Sequence, residues 1–499
     1  MLWDNLIMHA FLKKYLLTCG ILLNAILLVI SIKGAAHVGS QVNNLGEFFH
    51  LSAQWIKPYS ETSAQALLSF SERVTRAHYF EAPFEPSQWP TIGPQPSLQA
   101  SSPTTSLTAL SPSTATLTVD NPRALTLALR QVEPGQTIVI RDGHYALKGK
   151  RFNISKKPGT ALLPIRLIAE TRGNVTLALD SREGIVIDQP YWRIEGIHFI
   201  GTCHSHSRCD HALHIVGDAD NTRIAHNTFY DFNAAIKVNK SGIQYPDQGL
   251  IEHNIFGNHQ PRNTHYSVTP INVDHGNDWV VRKNIIHDFI KLGGNRVSYG
   301  AFMKGGVTGG IFEQNLVICN TSQQRYPGSQ VGLSFGGGGM SQASRRDNAN
   351  FEVSDTIMRN NIIMHCNDVG IYSQKAVDVT VHNNTLYNTA GIDVRFPVST
   401  ASVYNNILNG RIKARDDATL QSENNLISTY SFIRNNNGLN AIFSTPQNGI
   451  FSVTSPEALI DYAIEAKPTT QTLFDFCGHH IHQNTAYIGA IYQDAGCFR

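Results

Sequence analysis

The chain has 499 residues, of which only 16% are charged: 40 Lys and Arg stand against 38 Asp and Glu, a formal net charge of +2. This balance excludes a nucleic-acid binder held by a strong basic field and a disordered acidic tail protein. The 41% of hydrophobic residues can bury a large core, but the 39 Gly interrupt the chain too often for long helices.

The N-terminus carries the pattern of an export signal. Lys13 and Lys14 precede an almost uncharged apolar run at 15–32, and small residues follow at 33–36. This run is longer than most signal cores and reaches the lower limit for a membrane span, so the sequence leaves open whether 1–36 is a cleaved signal peptide or a membrane anchor. In both cases the positive flank stays inside, which predicts an exported protein that is periplasmic, tethered to the inner membrane or secreted.

Two segments separate this signal from the main domain. Residues 37–81 form a membrane-proximal segment with one predicted helix over 61–77. Residues 82–118 are rich in Pro, Ser and Thr with almost no charge, which is typical of a linker or stalk. The remaining residues, 119–499, are predicted to form one domain.

The main domain repeats one short motif. Of the 39 Asn, 31 lie between positions 221 and 448, and eight align in the segments HNTF, HNIF, KNII, QNLV, NNII, NNTL, NNIL and NNLI. These are Asn227, Asn254, Asn284, Asn315, Asn361, Asn384, Asn406 and Asn425, at spacings of 27, 30, 31, 46, 23, 22 and 19. A period in the twenties, in strand-forming residues without helical patterns between copies, predicts a β-solenoid rather than a propeller or a helical repeat. Leucine-rich repeats are excluded because Leu does not recur at fixed offsets.

Asn suits the turns of such a solenoid. Parallel strands stack each turn about 4.8 Å above the last, so identical turn residues form a ladder. Asn tolerates the left-handed backbone conformation, and its side-chain amide can bond to the neighbours above and below. We therefore expect the aligned Asn to be left-handed turn residues joined in a ladder.

Both ends of the domain carry further patterns. Residues 122–132 predict a short amphipathic capping helix, and PGQTIVIRDGHY at 134–145 predicts the first strand and its turn. Together they resemble the start of right-handed parallel β-helix proteins of the pectate-lyase-like superfamily. ALIDYA at 458–463 and AYIGAIY at 486–492 resemble the closing segment of secreted bacterial members. The resemblance covers about 120–499 and implies an all-β fold, a right-handed single-stranded parallel β-helix with an N-terminal capping helix; its motifs specify the fold well and the reaction poorly.

The cysteines fit an exported protein. Outside the apolar run six remain, an even set suited to an oxidising compartment: Cys203, Cys209, Cys319, Cys366, Cys477 and Cys497. Spacing favours Cys203 with Cys209 and Cys477 with Cys497. Cys319 and Cys366 follow Asn turns on successive coils at nearly the same offset, which makes a third disulfide geometrically feasible. Six unrelated thiols remain the alternative, and no CxxC spacing supports a zinc site.

In such coils one strand of each turn lies in a shallow groove. We aligned the strands before the Asn turns as LHIV, IKVN, INVD, AFMK, LSFG, IYSQ, IDVR and IKAR, beginning at Leu213, Ile236, Ile271, Ala301, Leu333, Ile371, Ile392 and Ile412. Alternation sends the second and fourth residues of each copy outward. The two outward rows are therefore His214, Lys237, Asn272, Phe302, Ser334, Tyr372, Asp393, Lys413 and Val216, Asn239, Asp274, Lys304, Gly336, Gln374, Arg395, Arg415.

The carboxylates in these rows disfavour a glycoside hydrolase. Hydrolysis of a glycosidic bond usually needs two carboxylates within roughly 5–9.5 Å. Asp274 and Asp393 lie four turns apart in the alignment, roughly 19 Å at the strand spacing. A hydrolase on this face would need loop carboxylates folded over it.

Lys304 is the best catalytic candidate in the rows. It lies in YGAFMKGG, one turn above Asp274 and His275 and one turn below the glycine run 336–339. A lysine flanked by glycines can approach a substrate closely, and partial desolvation or a neighbouring cation lowers its pKa toward that of a useful base. A polyuronate lyase needs such a base to remove the proton α to a carboxylate.

This region resembles polysaccharide lyases of the chondroitinase-B and alginate-lyase type. The resemblance implies Lys304 as base, an arginine on the next turn as acid, and calcium on the substrate carboxylate. The chain departs from that pattern because Ser334 and Gly336 stand where the arginine is expected, and Arg395 is three turns away, roughly 14 Å. The acid would then come from the insertions, where the candidates are Arg296, Tyr299, Arg325, Tyr326, Arg345 and Arg346.

The remaining site residues follow from the same rows. Asp274, Asn272 and Asn239 offer oxygen ligands suitable for calcium. His275 beside Asp274 is similar to the Asp-His pair of β-helix mannuronan epimerases, without the second Asp of that pattern. The predicted catalytic residues are Lys304, His275 and Asp274, and the predicted substrate-binding residues are Lys237, Asn239, Asn272, Ser334, Tyr372, Gln374 and Arg395.

The sequence thus predicts an exported monomer that acts on an acidic polysaccharide, with a β-eliminating polyuronate lyase as the leading hypothesis. Two alternatives stay open: a non-catalytic module that binds glycan or an envelope partner, and a mannuronan C5-epimerase. Lys304 can also be interpreted as a solvated groove residue, and the glycine run as a flat stretch against which a loop packs.

Overall fold

The structure, a computed structural model, describes residues 115–428 except Lys150, Ser155, Gln323, Arg325 and Gly338, together with 438–454, Leu459, 473–481, 487–492 and Cys497. The predicted export segment, the membrane-proximal segment and most of the predicted linker lie outside these residues. Within the described ranges no helix has the length and apolar character needed to span a membrane.

Nearly all of the described strands belong to three long parallel sheets, and the chain passes repeatedly from sheet C to sheet A to sheet B. Sheet A contains Thr116–Val119, Thr137–Ile140, Ile165–Ala169, Trp192–Glu195, Arg223–Ala225, Leu250–Glu252, Val280–Arg282, Val307–Thr308, Ile311–Glu313, Val353–Arg359, Ala376–His382, Thr400–Tyr404 and Thr419–Glu423. Sheet B contains Gly143–Lys148, Val175–Asp180, Ile197–Gly201, Thr228–Tyr230, Ile255–Gly257, Ile285–His287, Leu316–Ile318, Ile362–Met364, Thr385–Tyr387, Ile407–Asn409 and Leu426–Ser428. Sheet C contains Phe152–Asn153, Glu183–Ile187, His211–Val216, Ile236–Asn239, Ile271–Asp274, Val297–Lys304, Ser329–Phe335, Ile371–Gln374, Gly391–Arg395 and Arg411–Arg415. The fold is a right-handed parallel β-helix, as predicted.

The other described elements are short. Helix α1, Pro122–Gln131, lies where the capping helix was predicted: Asn121 caps it by accepting from the Ala124 amide (2.9 Å), and it buries Leu125 and Leu129 in the core of the coil. The 3-10 turns are Gln342–Ser344, Arg346–Asn348, Gly438–Ala441 and Pro446–Asn448. Two antiparallel pairs join Phe443–Thr445 to Ile450–Val453 and Leu473–Phe474 to His480–Ile481.

The core consists of side chains stacked in register along the coil. Phe199, Phe229 and Phe256 stack on successive turns with ring centroids 4.9 Å apart, the strand spacing itself. Alternation with period two is what sends one residue of each short strand into this column. Each turn therefore contributes a layer of buried apolar surface.

The aligned Asn form the predicted ladder. From Asn227 to Asn425, each side-chain amide donates to the side-chain oxygen of the next ladder residue at 2.9–3.1 Å. One detail of the prediction is wrong, because the left-handed backbone belongs to the residue before each ladder Asn. Those residues are His226, His253, Lys283, Gln314, Asn360, Asn383, Asn405 and Asn424. Asn occupies the ladder position because its side-chain amide forms the hydrogen bonds between turns. In the last four turns a second Asn occupies the left-handed position, where this residue type is tolerated.

The C-terminal segment packs along the side of the coil. Sheet B turns apolar residues outward at Leu316, Ile362 and Ile407, and Phe443, Phe451 and Ile488 cover them. Hydrogen bonds join the segment to three successive turns: Asn360 Nδ2 donates to Tyr487 Oη (2.8 Å), Asn383 Nδ2 to the Tyr487 carbonyl (2.9 Å), and the Gly489 amide to the Asn405 carbonyl (2.8 Å). The described part of the predicted closing segment therefore covers a face of the coil.

Three disulfides are formed, Cys203–Cys209, Cys319–Cys366 and Cys477–Cys497. These are the pairings that the spacing and the coil offsets predicted. They are consistent with export to an oxidising compartment.

Candidate functional site

Sheet C aligns the predicted rows in the expected register. Leu213, Ile236, Ile271, Ala301, Leu333, Ile371, Ile392 and Ile412 pair in succession, and the second residues of the copies pair likewise from His214 to Lys413. The first residues are buried in the core down to Ile392, and the second and fourth residues lie on the other face of the sheet. The assignment of outward residues is thus confirmed by the pairing.

The centre of this face is covered, whereas the sequence predicted an open groove. Asn272, Phe302 and Ser334 are exposed by 4%, 2% and 0%. The Ser334 hydroxyl donates to the Gly336 carbonyl, so this predicted substrate-binding residue lies beneath the surface. The insertion 336–352, in which Gly338 lies outside the described residues, begins at this point: Gly336 accepts from Ser334, and Gly337 lies against Phe302. The strand pattern does not specify the path of this insertion.

Glycines around Lys304 make room for this insertion. A side chain at Gly337 would begin 2.9 Å from Lys304 Cδ and 3.3 Å from the Phe302 ring. Gly306 has φ +84°, and a β-carbon there would lie 2.9 Å from the Arg346 carbonyl oxygen. The Arg346 amide donates to the Gly305 carbonyl (2.8 Å). The described glycines beside Lys304 therefore allow the insertion to pack closely against this part of the sheet.

Three charged side chains on successive turns meet at the centre of sheet C. Lys237 Nζ donates to Asn272 Oδ1 (2.8 Å) and to Asp274 Oδ2. Lys304 Nζ lies 3.7 Å from the other oxygen of that carboxylate, Asp274 Oδ1. We call Lys237, Asp274 and Lys304 the lysine pair site. These contacts bring the predicted catalytic residues Asp274 and Lys304 together with the predicted substrate-binding residues Lys237 and Asn272.

The lysine pair site carries an excess of positive charge. Its two lysines share one carboxylate, and their side chains keep 15% and 17% exposure, so each remains accessible to solvent. Burial lowers the pKa of Lys237, while the Asp274 carboxylate opposes that shift by favouring the ammonium form. Lys304 Nζ also lies 4.7 Å from the centroid of the Phe302 ring, a cation–π contact. An anionic ligand would be attracted to this position.

His275 is held by the insertion. Its Nε2 donates to the Ser344 carbonyl (2.8 Å), and its backbone amide donates to the Lys304 carbonyl (2.9 Å). Burial lowers its pKa, which favours the neutral ring. With φ +67° it turns the chain directly after Asp274. The contacts of this predicted catalytic residue therefore tie the insertion to the lysine pair site.

The arginines of the insertion are bound to other partners. Arg346 pairs with both oxygens of Asp247 (2.6 and 2.9 Å) and stacks on Tyr245, with its guanidinium carbon 4.2 Å from the ring centroid. Arg345 is buried beside Glu352, at 3.3 Å. Neither has a recorded contact with Lys304, and Arg325 lies outside the described residues.

The other predicted acids differ in their distance from the site. Tyr299 lies on the strand of Lys304, with its ring 5.5 Å from that of Phe302, and burial raises its pKa. Arg296 donates to the Leu292 carbonyl (3.2 Å), and the Tyr326 hydroxyl to Gln324 Oε1 (2.9 Å). Tyr299 is thus the candidate that packs against the lysine pair site through Phe302.

Both ends of the sheet C face are occupied by ion pairs and hydrogen bonds. On the N-terminal side, His214 Nε2 donates to Asn239 Oδ1 (2.6 Å) and its Nδ1 lies 3.3 Å from Glu183 Oε1. On the C-terminal side Arg415 donates to both oxygens of Asp393 (2.9 Å each). Of the predicted substrate-binding residues, Asn239 thus lies on the N-terminal side, whereas Tyr372, Gln374 and Arg395 lie together on the C-terminal side.

The contacts of Arg395 bear on its role as a predicted substrate-binding residue. Arg395 bonds to Tyr372 and pairs with Asp416, so its charge is partly neutralised.

Glu183 was not included in the sequence alignment because its strand, EGIVI, precedes the first ladder Asn. Alternation from the buried residues Ile185 and Ile187 would place Glu183 on the inner side of its strand, so only the structure shows its contact with His214.

The predicted calcium ligands do not fit a divalent cation. Asn272 Oδ1 and Asp274 Oδ2 both accept from Lys237, and Asn239 Oδ1 accepts from His214. Calcium takes six to eight oxygen ligands, usually with several carboxylates. Here one carboxylate is present and an ammonium already occupies the space between the oxygens.

A second group of metal-ligating residue types has a structural role. Asp475, Cys477 and His479 lie close together in the described C-terminal segment. Cys477 is in a disulfide, and Asp475 accepts from the amides of His479 (2.8 Å) and Tyr492 (3.0 Å). These contacts stabilise a turn.

Comparison with known proteins supports the fold. No protein-family model matches the chain, and no curated protein matches it. The pectate lyase Pel9A has a TM-score of 0.51 at 14% identity, over 76% of this chain and 96% of its own. A rhamnogalacturonan lyase has a TM-score of 0.45 at 14% identity, covering 72% and 90%. The PL6 family polysaccharide lyase Pedsa3628 from Pseudopedobacter saltans has a TM-score of 0.34 at 14% identity, covering 71% and 97%. At 14% identity the likeness to Pel9A shows the parallel β-helix fold and no more.

Proposed function

We propose that this protein is a polyuronate lyase that cleaves an acidic polysaccharide by β-elimination, with Lys304 as the base. The observation that carries the proposal is the lysine pair site, where two partly exposed ammonium groups share the Asp274 carboxylate. It lies on sheet C of a parallel β-helix, the fold that the chain shares with the pectate lyase Pel9A.

The reaction needs a base near a positive charge. Lys304, as the free amine, takes the C5 proton of a uronate; the C4–O bond breaks, and a double bond forms between C4 and C5. The departing oxygen takes a proton, which the Lys304 ammonium formed in the first step returns. Negative charge grows on the uronate carboxylate during proton removal, and a nearby cation stabilises it. Lys237 is that cation.

The two lysines suit different roles because their contacts differ. Burial lowers the pKa of Lys237, but its two oxygen acceptors within hydrogen-bond distance hold the ammonium in place, and the Asp274 carboxylate opposes the shift. Within the described residues Lys304 has one ion pair, at 3.7 Å, which is longer than a hydrogen bond, so its nitrogen is less tightly held than that of Lys237. Asp274 is a positioning residue that holds both amines on adjacent turns.

The test is elimination by the purified protein on alginate, pectate and glycosaminoglycans, followed as absorbance of the unsaturated uronate near the ultraviolet edge. We expect a rise on at least one polymer, and a loss of about 100-fold or more in Lys304→Ala. Lys148→Ala removes an exposed lysine from sheet B and should retain full activity.

Three outcomes would contradict the proposal. An undiminished rise in Lys304→Ala would assign the base elsewhere. Deuterium exchange at C5 without chain cleavage would indicate an epimerase. Retention on a polysaccharide column without either reaction would indicate a binding module.

A further inference from the structure

We infer that the Lys237 ammonium binds the substrate carboxylate in the place of a divalent cation, so that the site works without metal. The inference rests on the proposed function and adds the residue that recognises the acidic group. It starts from a disagreement: the three oxygens that the sequence offers for calcium surround a lysine nitrogen and a histidine.

The Lys237 ammonium has one donor left for a ligand. An ammonium group carries three N–H donors. Two of them are directed to Asn272 Oδ1 and Asp274 Oδ2, and within the described residues no third acceptor is recorded. The side chain is exposed by 15%, so a ligand on the outer face of sheet C can reach it. A carboxylate oxygen would complete its set of hydrogen bonds.

The surrounding charges favour an anion over a metal ion. Asp274 neutralises one of the two lysines, and Lys304 adds a second positive charge beside it. Of the other groups near Lys237, Asp210 accepts from Asn233 Nδ2 (3.1 Å) and has its pKa raised by burial, and burial lowers the pKa of His214. A dication would meet two ammonium groups and a single carboxylate, whereas a uronate carboxylate would meet complementary charge.

Binding by an inactive variant tests this directly. In Lys304→Ala, which blocks turnover, a uronate oligosaccharide from the cleaved polymer is titrated by calorimetry in excess EDTA and again in millimolar calcium. We expect the same affinity within about twofold, since no metal participates. Adding Lys237→Ala should weaken binding about 10- to 150-fold, the range for losing a hydrogen bond to a charged group.

A neutral ligand separates recognition of the carboxylate from a general loss of structure. The carboxyl-reduced oligosaccharide should bind equally well with and without Lys237, because its alcohol makes no ion pair. Lys237→Arg should keep part of the affinity for the acid, and Lys148→Ala all of it. Circular dichroism confirms that each variant is folded.

The outcomes distinguish the two proposals. Binding that EDTA abolishes, or an equal loss for acidic and reduced oligosaccharides in Lys237→Ala, overturns the role of Lys237 and leaves the lyase standing. If the active protein cleaves no polymer and the inactive variant binds no uronate, both proposals fall together.

Discussion

Asp274 lies one turn before Lys304 in sheet C, and its Oδ1 atom is 3.7 Å from the Lys304 ammonium. Its second oxygen accepts from Lys237, one turn further back. A single carboxylate therefore links two lysines, and the three residues come from three consecutive coils. The coil brings these three side chains within contact distance because neighbouring strands lie about 4.8 Å apart.

Asp274→Asn should lower both activity and stability. The substitution keeps the shape of the side chain but leaves two neighbouring ammonium groups without a shared counter-charge. Breaking a buried ion pair by removing one partner costs about 3–5 kcal/mol, and the partial exposure of both lysines reduces the expected loss to about 2 kcal/mol. Guanidinium unfolding measures the loss. An unchanged midpoint would contradict the role assigned to Asp274.

Gly306→Ala should displace the insertion from Lys304. The new methyl group would meet the Arg346 carbonyl oxygen at 2.9 Å. Gly173→Ala is the matched control because Gly173 has φ +83°, close to the +84° of Gly306, with open space around it. Both variants carry the left-handed backbone strain of about 1–2 kcal/mol. We expect uronate cleavage to fall only in Gly306→Ala, and equal rates in the two variants would count against the insertion as part of the site.

Asn315→Ala should destabilise the coil more than the same change at the end of the ladder. Asn315 is fully buried, donates to the Val281 carbonyl (2.8 Å) and Asn361 (2.9 Å), and accepts two bonds from Asn284 (3.1 Å each). Leaving buried groups unsatisfied costs about 1–3 kcal/mol each, so we expect a loss of at least about 3 kcal/mol. Asn425→Ala, where the ladder ends and solvent has access, should lose about 1 kcal/mol. Chemical denaturation measures the difference.

Acid should loosen the C-terminal segment through His365. Burial lowers the pKa of His365 to about 4, from 6.5 in the unfolded chain. The unfolded state therefore binds more protons between these values, and stability present above pH 6.5 is lost as the pH falls toward 4. The shift corresponds to about 3 kcal/mol for this fully buried ring.

His365 links the coil to that segment, since its Nε2 donates to the Gln447 carbonyl (3.2 Å) and its Nδ1 accepts from Asn388 (2.9 Å). The protection factors of 438–454 in hydrogen exchange should fall between pH 7 and pH 4.5, once the slower intrinsic exchange at low pH is taken into account. His365→Gln should show a smaller pH dependence. The pH dependence left in this variant comes from other buried histidines, among them His226, His253 and His382, whose pKa values burial also lowers to about 4. A pH dependence identical in the variant would contradict this assignment.

Much of the coil is predictable because its signals are local and repeat. The spacing of the ladder Asn identifies the turns, and alternation around residues such as Ile271 and Ile371 places eight of the ten strands of sheet C in their observed register. The disulfide Cys319–Cys366 follows from nearly equal offsets on successive coils. The predicted left-handed position was wrong by one residue, because the turn and the amide ladder both favour Asn.

The site is less predictable because it depends on contacts between distant segments. Alternation places Lys304, Asp274 and Lys237 on one face, but it does not say that Lys237 fills the space between the predicted calcium ligands. Nor does it show that 336–352 begins against Ser334, or that the C-terminal segment covers sheet B. Period and spacing are properties of neighbouring residues, and they suffice for a stacked coil in which each turn repeats the last. The path of an insertion and the partner of each charge are decided only when the whole chain has packed, since burial and ion pairing join residues that no local pattern relates.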